Sequence, residues 1–175
     1  MPVNLNEKEV LDYALSQRKA LKTKKHQHLF MGVAWIIPDE YERFKKCPEA
    51  IHVDGTASTN KEKYILMTVS AKDRSGKMVT ILRAFLPNQR KWAFKWLFCN
   101  VFPTLFESYV LLRVRVVISD GDSCECNQID AAIKLFMPNT VRLRCGWHII
   151  DRGMEKKVAN RCYKEHINSQ STYYQ

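Results

Sequence analysis

The sequence predicts a mixed α/β fold, in which a sheet of parallel and antiparallel strands is flanked by helices. Apolar β-branched segments and segments of helical periodicity follow one another in the order strand, strand, strand, helix, strand, helix, strand, helix. The chain has 175 residues, of which 46% are hydrophobic, so it is long enough to bury a core within one domain of ordinary size.

The three leading strands are predicted in the first half of this series. Residues 50–53 form a short apolar segment, and residues 63–71 and 77–86 are rich in β-branched and large apolar side chains. Between the last two lies Lys72-Asp73-Arg74-Ser75-Gly76, whose residue types favour a turn. The pattern therefore predicts a β-hairpin.

Helices and strands then alternate to the end of the chain. Residues 89–106 are aromatic with helical spacing, which predicts a buried helix whose Trp92 and Trp96 pack in the core rather than stack on bases. The nearly continuous apolar run 110–118 is typical of a central strand. An amphipathic helix ending at residue 136, a strand at 140–144 and a basic helix at 149–166 complete the series.

We predict two regions along the chain. Residues 1–48 form an N-terminal extension with a helix at 6–23, a strand at 30–37 and a charged helix at 39–46, which ends before Cys47-Pro48. Residues 49–175 form the main domain, which is expected to be incomplete on its C-terminal side.

Charge and composition restrict the class of partner. The net charge of +10 favours a polyanion such as DNA. No apolar stretch reaches the roughly 20 residues of a membrane helix, and the N-terminus lacks the pattern of a secretion signal. The six cysteines do not form a disulfide pattern, which favours a reducing compartment, the nucleus or the cytoplasm.

Two aspartates follow apolar strands, and each is followed by glycine: Val53-Asp54-Gly55 and Ser119-Asp120-Gly121. Carboxylates at the ends of neighbouring strands meet at the edge of a sheet, where α/β folds place their ligands. Oxygen ligands suit Mg²⁺ or Mn²⁺, which can activate a nucleophile for phosphodiester chemistry. Glycine in the next position would let the backbone turn away and leave room for a substrate. Asp54 and Asp120 are therefore the candidate catalytic and metal-binding residues.

The alternative is that these aspartates only cap helices or stabilise turns, as Asp commonly does. Asp122 suits that alternative best, because it could cap the next helix with Glu125 three residues later as a capping box. We assign Asp122 to structure and Asp120 to metal binding.

Two segments resemble the catalytic domain of Mutator-like element (MULE) transposases. VDGTASTNKEKYILMTVSAKDRSGK is similar to the first catalytic block, with Asp-Gly-Thr before a long hairpin. VVISDGDSCECNQIDAAIKLFMPNTVRLRCGWHI is similar to the second, with Ser-Asp, an Ala-Ile helix, Phe-x-Pro and Cys-x-x-His. The resemblance spans about residues 50 to 150 in one order.

The resemblance implies a ribonuclease-H-like fold and an Asp-Asp-Glu transposase that cuts and rejoins DNA in the nucleus with Mg²⁺ or Mn²⁺. Asp54 and Asp120 match its first two acids, and Cys145 and His148 match its Cys-x-x-His pair. Copies of the chain would assemble on transposon ends. Cys124-x-Cys126 could complete a zinc site with Cys145 and His148, but a packed Cys and a hydrogen-bonded His explain that pair as well, and zinc is not expected.

The third acid of the family is a glutamate on a helix well beyond the Cys-x-x-His pair, and its place in this sequence is open. Glu155 lies 35 residues after Asp120 and is a candidate, although its lysine neighbours favour a solvated helix face and an acid beyond this chain is preferred. Three functions remain: a transposase core, which would be inactive without the third acid; a transposase-derived DNA-binding or transcriptional regulator without catalysis; and a nuclease that uses Glu155.

Overall fold

The computed structural model describes residues 7–20, 30–121 and 123–150. The chain divides into two compact units, one ending at Leu143 and the other beginning at Arg144. The first unit contains nearly all of the described secondary structure. No helix in the described ranges is both long and apolar enough to cross a membrane.

Six strands in the described part of the chain form one mixed sheet in the order β1-β4-β3-β2-β5-β6. The β1–β4, β4–β3 and β3–β2 pairs are antiparallel, whereas β2 and β5 are parallel. The mixed sheet predicted from the order of elements is therefore confirmed. The strands are β1 (Val33–Trp35), β2 (Ala50–Thr56), β3 (Ile65–Lys72), β4 (Met78–Leu86), β5 (Val116–Ser119) and β6 (Val141–Arg144).

Short and long helices connect these strands. The predicted charged helix and the predicted amphipathic helix are both present, as α2 and α6. The helices are α1 (Glu7–Ala20), α2 (Pro38–Lys46), α3 (Lys91–Lys95), a π-helical segment (Trp96–Val101), α4 (Phe102–Leu105), α5 (Ser108–Leu111), α6 (Ser123–Phe136) and α7 (Gly146–Ile149).

The aromatic helix predicted at 89–106 is present as the continuous series α3, π-helical segment and α4. The wide π turns end next to Pro103, whose ring would clash with the carbonyl of residue 99 in a regular α-helix. Phe98 is fully buried between the rings of Phe94 and Phe102. Trp92 is also buried, beside Tyr13 of α1, so its predicted core role is confirmed.

The apolar run 110–118 is not one strand, and this prediction was wrong. Its first residues, Val110 and Leu111, are buried in the short helix α5, and β5 starts only at Val116. A short apolar run can be buried equally well by a helical turn or by a strand, so periodicity does not distinguish the two. The predicted strand 30–37 is likewise shorter, because only Val33–Trp35 pairs with β4.

An ion pair joins α2 to the sheet. Arg83 of β4 donates two hydrogen bonds to the Glu40 carboxylate, at 2.6 and 3.0 Å, and this contact lowers the pKa of Glu40 from its usual value of 4.5. Because the folded-state pKa lies below the unfolded value, the stabilisation is complete above the unfolded pKa and is lost as the pH falls through the folded pKa.

We expect Glu40→Gln to lower the free energy of unfolding by about 1 kcal/mol at neutral pH and by less at an acidic pH below the folded-state pKa of Glu40, since the hydrogen bonds are charge-assisted and only partly exposed. Urea unfolding at the two pH values measures both effects. Glu42→Gln is the control, because the Glu42–Lys45 pair joins an exposed carboxylate to a neighbour on the same helix. Equal losses in the two variants would contradict the prediction.

Candidate metal centre at the ends of two parallel strands

Asp54 lies within β2 rather than at its end. The strand continues to Thr56, and Asp54 pairs with Thr68 of β3. Ile51 and Val53 are buried, whereas Asp54 is exposed. Since side chains alternate along a strand, Asp54 is on the sheet face opposite to Ile51 and Val53. Asp54 was expected to end its strand. That expectation is wrong on the side of β2 that pairs with β3, because this pairing continues past Asp54.

On the β5 side, the pairing of β2 does end just before Asp54. Parallel partners run from Ala50↔Val116 to His52↔Ile118, so each partner in β5 is 66 positions further along the chain. Continuing this register by two residues brings Asp54 level with Asp120. Adjacent strands lie about 4.8 Å apart, and residues level with one another in parallel strands share a sheet face. The register of β2 and β5 therefore directs the two predicted acids to the same edge of the sheet.

Asp120 follows the last residue of β5 and is partly buried. Ser119 before it is fully buried, and its Oγ lies 3.8 Å from the Cys126 Sγ of α6. Gly121 after it has φ of 104°, a conformation that side chains other than glycine rarely adopt. Gly121 thus has the backbone conformation that a sharp turn after this acid requires.

Gly55 has a different role from Gly121. It remains in the extended strand, so the expectation of a turn after Asp54 is wrong. A Cβ atom at Gly55 would lie 2.9 Å from the Met67 Sδ of β3. Gly55 therefore accommodates a core methionine, and the turn that the sequence suggested there forms only after Thr56.

His52 is a neighbour of the acid pair that the sequence did not single out. It precedes Asp54 by two residues, so the two lie on the same face of β2. Partial burial, together with the nearby Lys72 charge, lowers the pKa of His52 below its usual value of 6.5. The imidazole is therefore neutral at neutral pH and can accept a hydrogen bond or a metal. The His-x-Asp spacing within a strand was the signal that could have identified it.

The region after Asp120 is only partly described. Asp122 lies outside the described residues, so its capping box with Glu125 stays a prediction. Glu125 is buried in the first turn of α6, with 4% of its surface exposed. Cys126 is buried beside Ser119, and Cys124 is partly buried.

Cys145 and His148 belong to the second unit. Cys145 directly precedes α7, and its carbonyl accepts a hydrogen bond from the Ile149 amide at 3.1 Å. His148 lies within α7, three residues after Cys145, a spacing that places the two on the same side of a helical turn. Glu155 lies outside the described residues.

Titratable side chains capable of metal binding are sparse around the acid pair. Over residues 7–20, 30–121 and 123–150, no group of three or more His, Cys, Asp or Glu side chains is arranged to hold a metal ion. The described part of the site thus offers Asp54 and Asp120, with His52 beside them.

The fold and the position of the acids define a class of protein. Three consecutive antiparallel strands, a parallel β2–β5 pair and helices between the later strands are consistent with a ribonuclease-H-like domain. The chain belongs to the MULE transposase domain family, whose profile matches residues 50–152, more than half of the sequence. The family predicted from the two motif blocks is thereby confirmed, and it implies transposase-related DNA processing. No curated protein matches the chain at a significant level.

Proposed function

We propose that this domain carries out metal-dependent DNA strand cleavage and transfer in DNA transposition, with Asp54 and Asp120 as catalytic metal ligands. The observation that carries the proposal is the parallel β2–β5 register, which aligns two acids that are 66 positions apart in the chain when it is continued by two residues. Family membership supports DNA as the substrate. A nuclear location and assembly of copies on transposon ends follow from the same proposal.

The donor atoms fit the proposed ion. Both candidate ligands are carboxylates, which are the oxygen donors that Mg²⁺ and Mn²⁺ prefer. When bound, such an ion activates the attacking oxygen and stabilises the leaving oxygen of a phosphodiester. The protein supplies rigidity, because β3 pairs with β2 through Asp54 and beyond it, and β5 pairs with β2 as far as His52.

His52 has a supporting role in this proposal. Because it is neutral and lies on the Asp54 face, it adds no positive charge that would oppose a cation. With an ion bound at the acids, the neutral imidazole could also accept a hydrogen bond from a nearby water molecule. The third acid is the glutamate that the family carries, and Glu155 is the residue of this sequence to test for that role.

A second candidate function is a transposase-derived DNA-binding protein that regulates transcription without catalysis. The net charge of +10 favours it equally, because charge attracts DNA without any need for a metal. The two functions differ in whether Asp54 and Asp120 bind a divalent cation.

Isothermal titration with Mn²⁺ distinguishes the two. We expect binding to the wild-type chain, loss of binding in Asp54→Asn/Asp120→Asn, and unchanged binding in Asp39→Asn, which removes an exposed carboxylate from the first turn of α2. Mn²⁺ binding that is absent, or that persists in the double variant, would rule out the catalytic proposal and leave the regulator.

A further inference from the structure

The topology collects several loops at the sheet edge that carries the acid pair. Both β2 and β4 are antiparallel to β3, so β2 and β4 run in the same direction. Their C-terminal ends therefore lie at one edge of the sheet, together with the end of β5 that leads to Asp120. The loop 57–64 after β2 and the turn 87–91 after β4 consequently flank this edge.

This edge carries exposed cations. Lys61 and Lys63 of the loop 57–64 are exposed, and so are Arg90 and Lys91 after β4. Among the described residues, ion pairs are formed by Arg43, Lys45, Arg83, Arg113 and Arg142, and by none of these four.

Two of the cations at the opposite edge of the sheet are neutralised by the protein itself. Arg43 pairs with Asp73 in the turn between β3 and β4, and Arg113 pairs with Glu49 just before β2. Lys72, Arg74 and Lys77 at that edge are nevertheless exposed and form none of these ion pairs, so the edge with Asp54 and Asp120 is distinguished by its acids and its aromatic pair rather than by its number of cations.

The loop 57–64 is held in a defined conformation. The Asn60 side chain donates to the Tyr64 carbonyl at 2.8 Å and accepts from the Tyr64 amide at 2.9 Å. The Lys63 amide bonds to the Asn60 carbonyl, and Lys63 has φ of 61°, which is uncommon for a residue other than glycine. A backbone conformation of this kind costs free energy and persists only where the surrounding contacts hold it in place, and the hydrogen bonds of Asn60 are such contacts.

An aromatic pair extends from the same loop. The Tyr64 ring packs edge-on against the Phe30 ring, with centroids 5.2 Å apart, and the Tyr64 hydroxyl donates to the Phe30 carbonyl at 2.6 Å. Phe30 is nevertheless 52% exposed. An exposed ring supported by a second ring, next to a loop that carries two exposed lysines, is typical of surfaces that stack on unpaired bases.

We propose that the DNA strand next to the scissile phosphate crosses this edge, with Lys61, Lys63, Arg90 and Lys91 on its phosphates and Phe30 against an unpaired base. From β5 to β4 the edge spans three strand spacings, about 14 Å, which is the length of about four nucleotides of one strand in B-form DNA. This inference rests on the proposed DNA-processing function and specifies where the substrate lies.

The salt dependence of DNA affinity tests the phosphate contacts. Each lost contact lowers the slope of log K against log salt by roughly 0.7 to 0.9, so Lys61→Gln/Lys63→Gln should lower it by roughly 1.5. The matched control is Arg74→Gln/Lys77→Gln, which removes the same charge from the β-hairpin turn at the opposite edge. Fluorescence anisotropy with a duplex carrying a single-stranded tail, in EDTA, measures both.

Unchanged slope in Lys61→Gln/Lys63→Gln, or an equal fall in the control, would overturn the proposed path. Because EDTA removes divalent metal, this result is independent of the Mn²⁺ titration. If the chain fails to bind Mn²⁺ but shows the expected salt slopes, the DNA path stands and the catalytic proposal is wrong. If the chain binds Mn²⁺ but the salt slopes do not change as expected, the catalytic proposal stands and the DNA path is wrong.

Two further variants test the loop and the ring. Phe30→Ala should weaken binding to tailed DNA roughly tenfold and leave binding to blunt duplex unchanged, because stacking requires an unpaired base. Asn60→Ala keeps every charge but releases the loop, so it should weaken affinity while the salt slope changes less than in the lysine variant. Equal effects of Phe30→Ala on both DNAs would contradict base stacking.

Discussion

Asp54→Asn and Asp120→Asn are each expected to lower Mn²⁺-dependent cleavage of a labelled DNA duplex by roughly 10³-fold. A metal ion contributes several kcal/mol of transition-state stabilisation, and about 1.4 kcal/mol corresponds to a factor of ten in rate. Asparagine has nearly the same shape as aspartate, so the loss would report the charge rather than the packing. Because the two acids act on one site, the double variant should lose little more than either single variant.

The control for cleavage is again Asp39→Asn, which should cleave like the wild type. Circular dichroism and urea unfolding of each variant would establish that the sheet is intact. Cleavage that survives in Asp54→Asn or Asp120→Asn would contradict the assignment of these residues. A wild-type chain that binds DNA without cleaving it is expected both of a core that lacks its third acid and of the regulator, and the Mn²⁺ titration then distinguishes the two.

Phe98→Ala is expected to lower the free energy of unfolding by about 3–5 kcal/mol, the usual cost of removing a fully buried aromatic ring. Phe98 has no exposed surface, and its ring lies 6.3 Å from that of Phe94 and 5.3 Å from that of Phe102, centroid to centroid. The cost would come from lost apolar burial and from a cavity that a rigid helical series cannot close. Urea unfolding measures the loss.

Phe30→Ala is the matched control for Phe98→Ala. It removes the same ring from a site that is 52% exposed, so we expect a loss of about 1 kcal/mol or less. The contrast also separates the two roles of aromatic residues in this chain, because Phe98 should affect stability and Phe30 should affect DNA binding. Equal destabilisation by the two substitutions would contradict the burial of the π-helical segment.

Local chemistry allowed much of the fold to be predicted. The hairpin of β3 and β4 was predicted because Asp73 and its neighbours have turn chemistry, and Asp73 accepts hydrogen bonds from the amides of Ser75 and Lys77. The helix α6 was predicted because its apolar residues repeat with a period near 3.6. Both signals act over a few residues, so the linear sequence contains them in full.

The helix α5 and the end of β2 could not be predicted in this way. Val110 and Leu111 are apolar and are buried in either conformation, and only their packing in the folded protein selects a helical turn. Likewise, whether Asp54 ends its strand depends on two different partners: pairing with β3 continues past it, whereas the recorded pairing with β5 stops two residues before it. Long-range pairing decided both.

The sequence by itself determined the family, the alternation of strands and helices, and the two acids that are worth testing. Only the tertiary structure decided that β2 and β5 are adjacent and parallel, in a register that aligns Asp54 with Asp120 when it is continued by two residues, and that exposed cations and an aromatic pair lie at the same edge. The physical reason is the distance along the chain over which each kind of signal acts. Turn propensity and hydrophobic periodicity operate over a few residues, whereas the register between segments 66 positions apart is fixed by the packing of the whole sheet.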